Sequence, residues 1–439
     1  MVAEQFQTGR LMELYIHIPF CVKKCDYCDF LSFPMGRCTG ENKQVNEYVE
    51  ALCRELGEIS GFPDFDGIDT VFMGGGTPSL LSDKQTEQIL RAVWEVLKAH
   101  PQKVNCGCAV VADAEANRKE PVEFTVECNP GTLTEEKLRL YKKYGVNRLS
   151  IGLQSADDEE LRLLGRIHSY EEFENNFRLA RRLGFSNINV DLISAIPGQS
   201  VESWKNTLRK VVMLGPEHIS AYSLIIEEGT PFYEKYGEED GIEDETRLPS
   251  EDDEREMYRA TRELLAEYGY HRYEISNYAR EGFECRHNLG YWTGEEYIAC
   301  GLGASSYLEK KRFDMYCGGH GANAEVAIDK NKETIYVRFK NTDDVASYIS
   351  DSTSPAHLFV DETLDAAGQM AEFCILSLRL VKGIDILRFR QLFGMDFMDE
   401  YGFIVEKYEG LGLLKHEQDR IFLTEDGFDV SNRIMAEFL

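Results

Sequence analysis

The sequence predicts an α/β fold: a parallel sheet built from six βα units, followed by a C-terminal α+β winged-helix-like domain. Three observations predict it. Short β-branched and aromatic runs alternate with amphipathic stretches through the first half. Small and polar residues gather where those runs end, and from about residue 363 the pattern turns to helices and one hairpin.

In chain order, the strands are LYIHIP (14–19), DTVFMGG (69–75), EFTVECNP (123–130), RLSIGLQS (148–155), INVDLISAIP (188–197) and HISAYSLII (218–226). Apolar residues at three- and four-residue spacing predict the intervening helices at about 43–58, 83–99, 134–143, 171–183 and 201–214. This rhythm fits either most of an eight-unit barrel or an open doubly wound sheet. Cys21 to Cys28, Gly74 to Pro78, Glu127 to Pro130, Gln154-Ser155 and Asp191 fall at strand ends, as a site at the C-terminal mouth of a parallel barrel requires.

An acidic, turn-rich segment at about 234–257 reads as a solvated loop entering a helix at about 251–268. YEISNYA (273–279) follows, then CRHNLGYWTGEEYIACGLGASSY (285–307), dense in glycine and aromatics, with its histidine read as lying in a loop. Helices are expected through Leu380 and again to about 411, then a two-stranded wing in LLKHEQDRIFLTEDG and a last helix ending at Leu439. The expected division is 1–230 for the barrel, 231–362 for an acidic connection and aromatic segment packing on it, and 363–439 for the winged-helix-like domain. Few basic residues mark that last domain, which favours an interaction or lid role over DNA binding.

Among the 439 residues, 43% are hydrophobic and 28% charged, which excludes a largely disordered or disulfide-stapled chain. With 48 Lys+Arg against 77 Asp+Glu, the formal charge is −29, so nucleic acid and bare anionic membrane are disfavoured as partners. No stretch approaches the ~20 apolar residues needed to span a bilayer. Glu4 and Glu13 stand where a signal peptide needs an apolar core, so a cytoplasmic location without membrane insertion is expected. In that compartment the twelve cysteines should stay reduced, which turns attention to metal or catalytic use.

After the first strand stands Cys21-Val-Lys-Lys-Cys25-Asp-Tyr-Cys28. Three thiolates on one short loop can hold three irons of a [4Fe-4S] cluster and leave the fourth without a protein ligand. The competing reading is a structural zinc site, which needs a fourth ligand, with His17 and Cys38 the nearest candidates.

This C-x3-C-x2-C loop resembles the signature of the radical S-adenosylmethionine (radical SAM) superfamily. IHIPFCVKKCDYCDF is similar to its oxygen-independent coproporphyrinogen III oxidase branch, which includes the HemW-type haem chaperones, and the resemblance runs over nearly the whole chain. It implies a partial (β/α)6 barrel, with Cys21, Cys25 and Cys28 as cluster ligands and S-adenosylmethionine chelated at the open iron. It further implies cofactor contacts from Tyr15, Tyr27, Gly75, Gly76, Thr77, Glu127, Gln154, Arg166 and Asp191. The residue types suit that ligand: glycines let backbone approach it, a carboxylate suits ribose hydroxyls, and arginine forks onto a carboxylate.

Within the branch, the oxidases carry a fourth cysteine where this chain has Phe30 and have a longer N-terminal extension. The C-D-F-x-S form here, Cys28 to Ser32, is similar to the haem chaperones instead, as is His287-Asn288-Leu289-Gly290-Tyr291-Trp292. The resemblance therefore implies haem as cargo, with His287 a candidate axial ligand and Cys285, beside Arg286, a rival. Implied partners are a haem-accepting apoprotein, a membrane respiratory enzyme among the candidates, and a reductase, flavodoxin or ferredoxin as electron donor. No catalytic residue is assigned. The alternative implied activity is oxidative decarboxylation of coproporphyrinogen III.

Overall fold

The computed structural model describes residues 12–36, 42–62, 67–101, 121–237, 248–318 and 334–439. Cys38 and most of the acidic run GEEDGIEDE lie outside the described residues.

Strands β1 (Met12–Ile18), β2 (Ile68–Gly75), β3 (Glu123–Cys128), β4 (Arg148–Gln154), β5 (Ile188–Ser194) and β6 (His218–Ser223) lie side by side, parallel and in chain order. Sequential order without a reversal is the topology of a barrel wall rather than a doubly wound sheet, which has a switch point. Helices α1 (Lys43–Gly61), α2 (Asp83–Ala99), α3 (Glu135–Lys143), α4 (Asp158–Leu163), α5 (Tyr170–Arg182) and α6 (Val201–Val212) make the crossovers. Local chemistry starts them: reciprocal caps Ser82–Gln85 and Ser169–Glu172 satisfy the first amides of α2 and α5. Alternation then sorts β1, with Met12, Leu14, Ile16 and Ile18 on the face that joins the main hydrophobic core. Glu13, Tyr15 and His17 take the opposite, inner face.

After α7 (Pro231–Tyr236), α8 (Glu251–Glu267) begins at its Ser250 cap with four acidic residues in its first turn, where the helix dipole favours negative charge. Strands β7 (His271–Arg272) and β8 (Asn277–Ala279) extend the sheet beyond β6 in antiparallel sense. Helix α9 (Arg286–Thr293) contains the HNLGYW element, where a loop is expected from the sequence. Strand β9 (Tyr297–Cys300) pairs parallel with the other side of β1. Then β10 (Ser305–Glu309), α10 (Lys310–Gly318), β11 (Tyr336–Asn341), α11 (Val345–Ser350) and β12 (Leu358–Leu364) complete a twelve-stranded sheet of order β12-β11-β10-β9-β1-β2-β3-β4-β5-β6-β8-β7. Residues 231–362, expected to pack on the barrel as a connection, thus supply strands to the same sheet.

Asp365 caps α12 (Ala366–Arg379), which leads the C-terminal domain. Helices α13 (Ile386–Phe393) and α14 (Phe397–Gly410) follow, with a sheet of Ile384–Asp385, Arg420–Leu423 and Leu414–Glu417. The expected two-stranded wing therefore gains a third strand, because Ile384 and Asp385 pair with Ile421 and Arg420. This domain has its own core around Phe389, Phe397, Ile404 and Ile421. It is tied to the barrel side by Val381 N–H on Tyr273 O (3.0 Å) and by Glu425, which pairs with Arg262 and Arg272. Among the described residues no helix is long and apolar enough to cross a membrane.

Candidate functional site

The cysteine loop leaves β1 at the barrel's C-terminal mouth. Phe20-Cys21 pairs in parallel with Phe33-Pro34, which folds the loop back on itself. Asp26 N–H donates to Leu164 O (3.3 Å) and Asp26 O accepts from Phe232 N–H (3.0 Å), seating the loop on segments distant in sequence. Tyr27 packs there with Leu164, Ile193, Ile196 and Phe232, and burial raises its pKa.

Cys21, Cys25 and Cys28 are half-buried, and burial raises the pKa values of Cys21 and Cys28. Two donors face the sulfurs. Thr77 Oγ1 points at Cys21 Sγ (3.6 Å), and Arg166 Nη1 donates to Cys25 Sγ (3.5 Å). Hydrogen bonds and positive charge on the sulfurs are what cluster thiolates receive from a protein. Among the described residues no three His, Cys, Asp or Glu side chains form a single-ion site. A cubane cluster ligates each thiolate to a separate iron, so its sulfurs need not converge on one point. Of the two candidate fourth zinc ligands, Cys38 lies outside the described residues and His17 is engaged elsewhere. Its Nε2 is 2.9 Å from Leu31 O and its Nδ1 is 3.1 Å from Tyr15 Oη.

The end of β2 reaches the same place through glycine. Gly75 has φ +106°, and a Cβ there would stand 2.5 Å from the His17 ring; on Gly76 it would stand 2.8 Å from Phe20 O and 2.9 Å from Ile18 O. Thr77, which is buried, accepts from Asn129 Nδ2 (2.8 Å). Asn129 Oδ1 in turn accepts from Arg166 Nη2 (2.7 Å), which also reaches Gly152 O (2.7 Å). Asn129 therefore links the end of β2 to Arg166, and through it to the Gly152 carbonyl of β4, a role the sequence pattern does not mark. What signal there is lies in its place two residues after Glu127 in the same strand-end motif.

Glu127 Oε2 accepts from Gly75 N–H (3.0 Å), and burial, then the nearby Asp191 charge, pushes its pKa up to about 8. Gln154 closes β4 at φ +74°, where the β4–β5 register shifts. A side chain held in this left-handed region is strained and persists because its surroundings impose it. Asp191 differs from the expectation of a strand end. It lies in the middle of β5 on the inner face, accepting from Ser150 Oγ (2.9 Å) and Asn189 Nδ2 (2.7 Å). Tyr15 stacks on Phe72 from inside the barrel, with its pKa raised by burial.

Cofactor fit rests on the buried Arg166 Nε, which has no partner among the described residues, beside the three thiols and the buried carboxyl of Glu127. Such a mouth can present carboxylates and a guanidinium to a zwitterionic nucleoside.

His287 lies at the opposite end of the barrel. Its Nδ1 is 2.6 Å from Thr70 Oγ1, its Nε2 is 3.0 Å from Tyr291 Oη, and its ring stacks on Phe72 at 5.1 Å. Both nitrogens are thus engaged in the interior, and ligating an iron would break one of these bonds. Burial lowers its pKa to about 3. Glu123, on β3, accepts from the backbone N–H groups of Arg286 and His287 and so caps α9 from across the barrel. Cys285 is buried with its pKa pushed up to about 12, and Arg286 pairs with Asp69 rather than activating that thiol.

Between barrel and C-terminal domain lies a cavity of about 420 Å³ lined by Tyr15, His17, Tyr291, Trp292, Tyr297 and Leu376, with Gly303 to Ser305.

Comparison with known proteins places this geometry. Residues 15–211 match the Radical SAM superfamily and residues 364–430 the HemN C-terminal domain. The chain is 33% identical to the "Heme chaperone HemW" of Lactococcus lactis subsp. lactis (strain IL1403), over 97% of this chain and 96% of that one. It is 31% identical to the protein of the same name from Bacillus subtilis (strain 168), over 97% and 98% respectively. Coproporphyrinogen III oxidase (HemN) from Escherichia coli, a solved structure, shares the fold with TM-score 0.74 at 21% identity, covering 98% of this chain and 90% of that one.

Proposed function

This chain belongs to the radical SAM superfamily, in the family of the heme chaperones HemW, and on that premise we propose that it binds haem and delivers it to haem-dependent apoproteins. The observation that carries the reading is the match to HemW relatives along 97% of the chain, barrel and C-terminal domain together. Phe30, exposed beside the cluster loop where the oxidases have cysteine, agrees with it.

In this reading Cys21, Cys25 and Cys28 hold a [4Fe-4S] cluster. Gly75, Gly76, Thr77, Glu127, Gln154, Arg166 and Asp191, with Tyr15 and Tyr27, surround S-adenosylmethionine. When bound, such a cluster would supply the electron for reductive cleavage of that cofactor. The residues' own work is electrostatic and positional. Arg166 and Thr77 direct positive charge and a hydroxyl at the sulfurs, Asn129 fixes both, and the glycine turn opens backbone groups to the ligand. A haem-accepting apoprotein is the partner, with a membrane respiratory enzyme as the proposed recipient and a reductase, flavodoxin or ferredoxin as the proposed donor. The proposed location is the cytoplasm.

The test is an anaerobic assay of cluster-reconstituted protein with S-adenosylmethionine, dithionite and either haem or coproporphyrinogen III. Stoichiometric haem binding, with transfer to an apo-haemoprotein and no protoporphyrinogen, is the expected result. Catalytic formation of protoporphyrinogen would make the protein an oxidase.

A further inference from the structure

The cavity between the barrel and α12 has one unsatisfied donor in its aromatic wall and a second stacked against that donor's ring. Trp292 lines it, and its indole Nε1 is buried with no hydrogen-bond partner among the described residues. Arg379 stands over that indole, its guanidinium 4.3 Å from the ring centroid, and its Nε is likewise buried without a partner. Glu274 feels the charge of Arg379, but among the described residues Arg379 forms no ion pair. Leu376, one turn before Arg379 on α12, completes the cavity wall from the C-terminal domain.

An indole N–H has only donor character, and leaving it buried and unmet costs stability, so such groups point to an acceptor that arrives with a ligand. A guanidinium next to it selects a carboxylate. The remaining wall is aromatic and mostly apolar: Tyr15, Tyr291 and Tyr297 contribute rings, Tyr291 and Tyr297 edge to face, with Tyr291 held by its bond to His287. At about 420 Å³ the space lies within the usual range for a small-molecule site. Flat, apolar and carboxylate-bearing is the chemistry of a porphyrin with propionate side chains.

We propose that this cavity seats the tetrapyrrole, its macrocycle against Tyr15, Tyr291, Tyr297 and Leu376 and one carboxylate on Trp292 Nε1 and Arg379. The proposal rests on the haem reading above and adds the site and its recognition element. It also gives the C-terminal domain a part in binding, since α12 supplies one of the two donors.

The experiment is a titration of the full, cluster-loaded protein with haem and with haem dimethyl ester, whose carboxylates are blocked, in wild type, Arg379→Met and Trp292→Phe. Wild type should prefer haem over the ester by about tenfold or more, and each variant should lose most of that preference by weakening toward haem alone. Because the ester probes wild-type protein directly, a misfolded variant does not spoil the test. Equal wild-type affinity for haem and ester, or variants that bind haem as wild type does, would overturn the site while leaving haem carriage standing. Wild-type protein that binds neither would overturn the haem reading itself. A parallel titration with S-adenosylmethionine separates the other carboxylate-bearing ligand: a loss confined to it would assign the cavity to the cofactor and overturn the proposal.

Discussion

Arg166 donates to the sulfur of Cys25 at 3.5 Å, joining the cluster loop to a residue 141 positions further along the chain. The same guanidinium holds Asn129 and the Gly152 carbonyl, so one side chain ties the metal loop to the ends of β3 and β4. A cation beside a ligand sulfur favours the reduced cluster, which carries one more negative charge.

Replacing Arg166 with Met should therefore lower the midpoint potential of the reconstituted cluster, read by redox titration with electron paramagnetic resonance. An unchanged potential would remove Arg166 from the cluster's surroundings. The triple change of Cys21, Cys25 and Cys28 to Ala should abolish the broad iron-sulfur absorbance, and a full-strength band would refute the ligand set.

Gly76 is hemmed by backbone rather than by side chains. A Cβ there would meet Phe20 O, Ile18 O and Phe20 N at 2.8 to 2.9 Å, and none can rotate away. Gly76→Ala should cost about 1–3 kcal/mol of stability, the range for overpacking at a tight site. Denaturant unfolding measures this, and a variant as stable as wild type would mean that the cradle yields.

Glu127 carries a pH signature. Burial raises its pKa from 4.5 to about 8, so the folded protein retains a proton that the unfolded chain has already released. Its contribution to stability accordingly falls as pH rises from about 4.5 to about 8 and levels off above. Glu127→Gln should flatten the dependence of the unfolding midpoint across that window in cofactor-free protein. Identical pH profiles for variant and wild type would contradict the assignment.

His287→Ala removes two buried hydrogen bonds and a stacked ring. The expected loss is about 2–4 kcal/mol of stability, with the Soret maximum of bound haem unmoved because both nitrogens already have partners. A shifted Soret maximum at wild-type stability would restore His287 as an iron ligand.

The six strands, their parallel order and the cysteine loop were legible in the sequence because each depends on local pattern: a strand period, a helix period, a three-residue spacing. The resemblance carried by the loop extended that to the partial barrel. Other features depended on contacts across the chain. Asn129 and Arg166 meet only because β3 and the segment after α4 are brought to one mouth. HNLGYW became a helix because Glu123, far away on β3, caps it and Gly294 ends it in the left-handed conformation.

By itself, then, the sequence determined the strands, their order along the chain and the C-x3-C-x2-C loop after the first of them, since alternation and spacing are encoded locally. The tertiary structure alone decided which end of the barrel each motif occupies. His287 and the cysteines both belong to recognisable motifs, yet one is bonded inside the N-terminal end of the barrel and the others stand at the C-terminal mouth. Trp292 and Arg379 lie on helices from different domains. Only the packing of α12 against α9 stacks Arg379, without an ion pair among the described residues, on the indole whose N–H is likewise unmet among them.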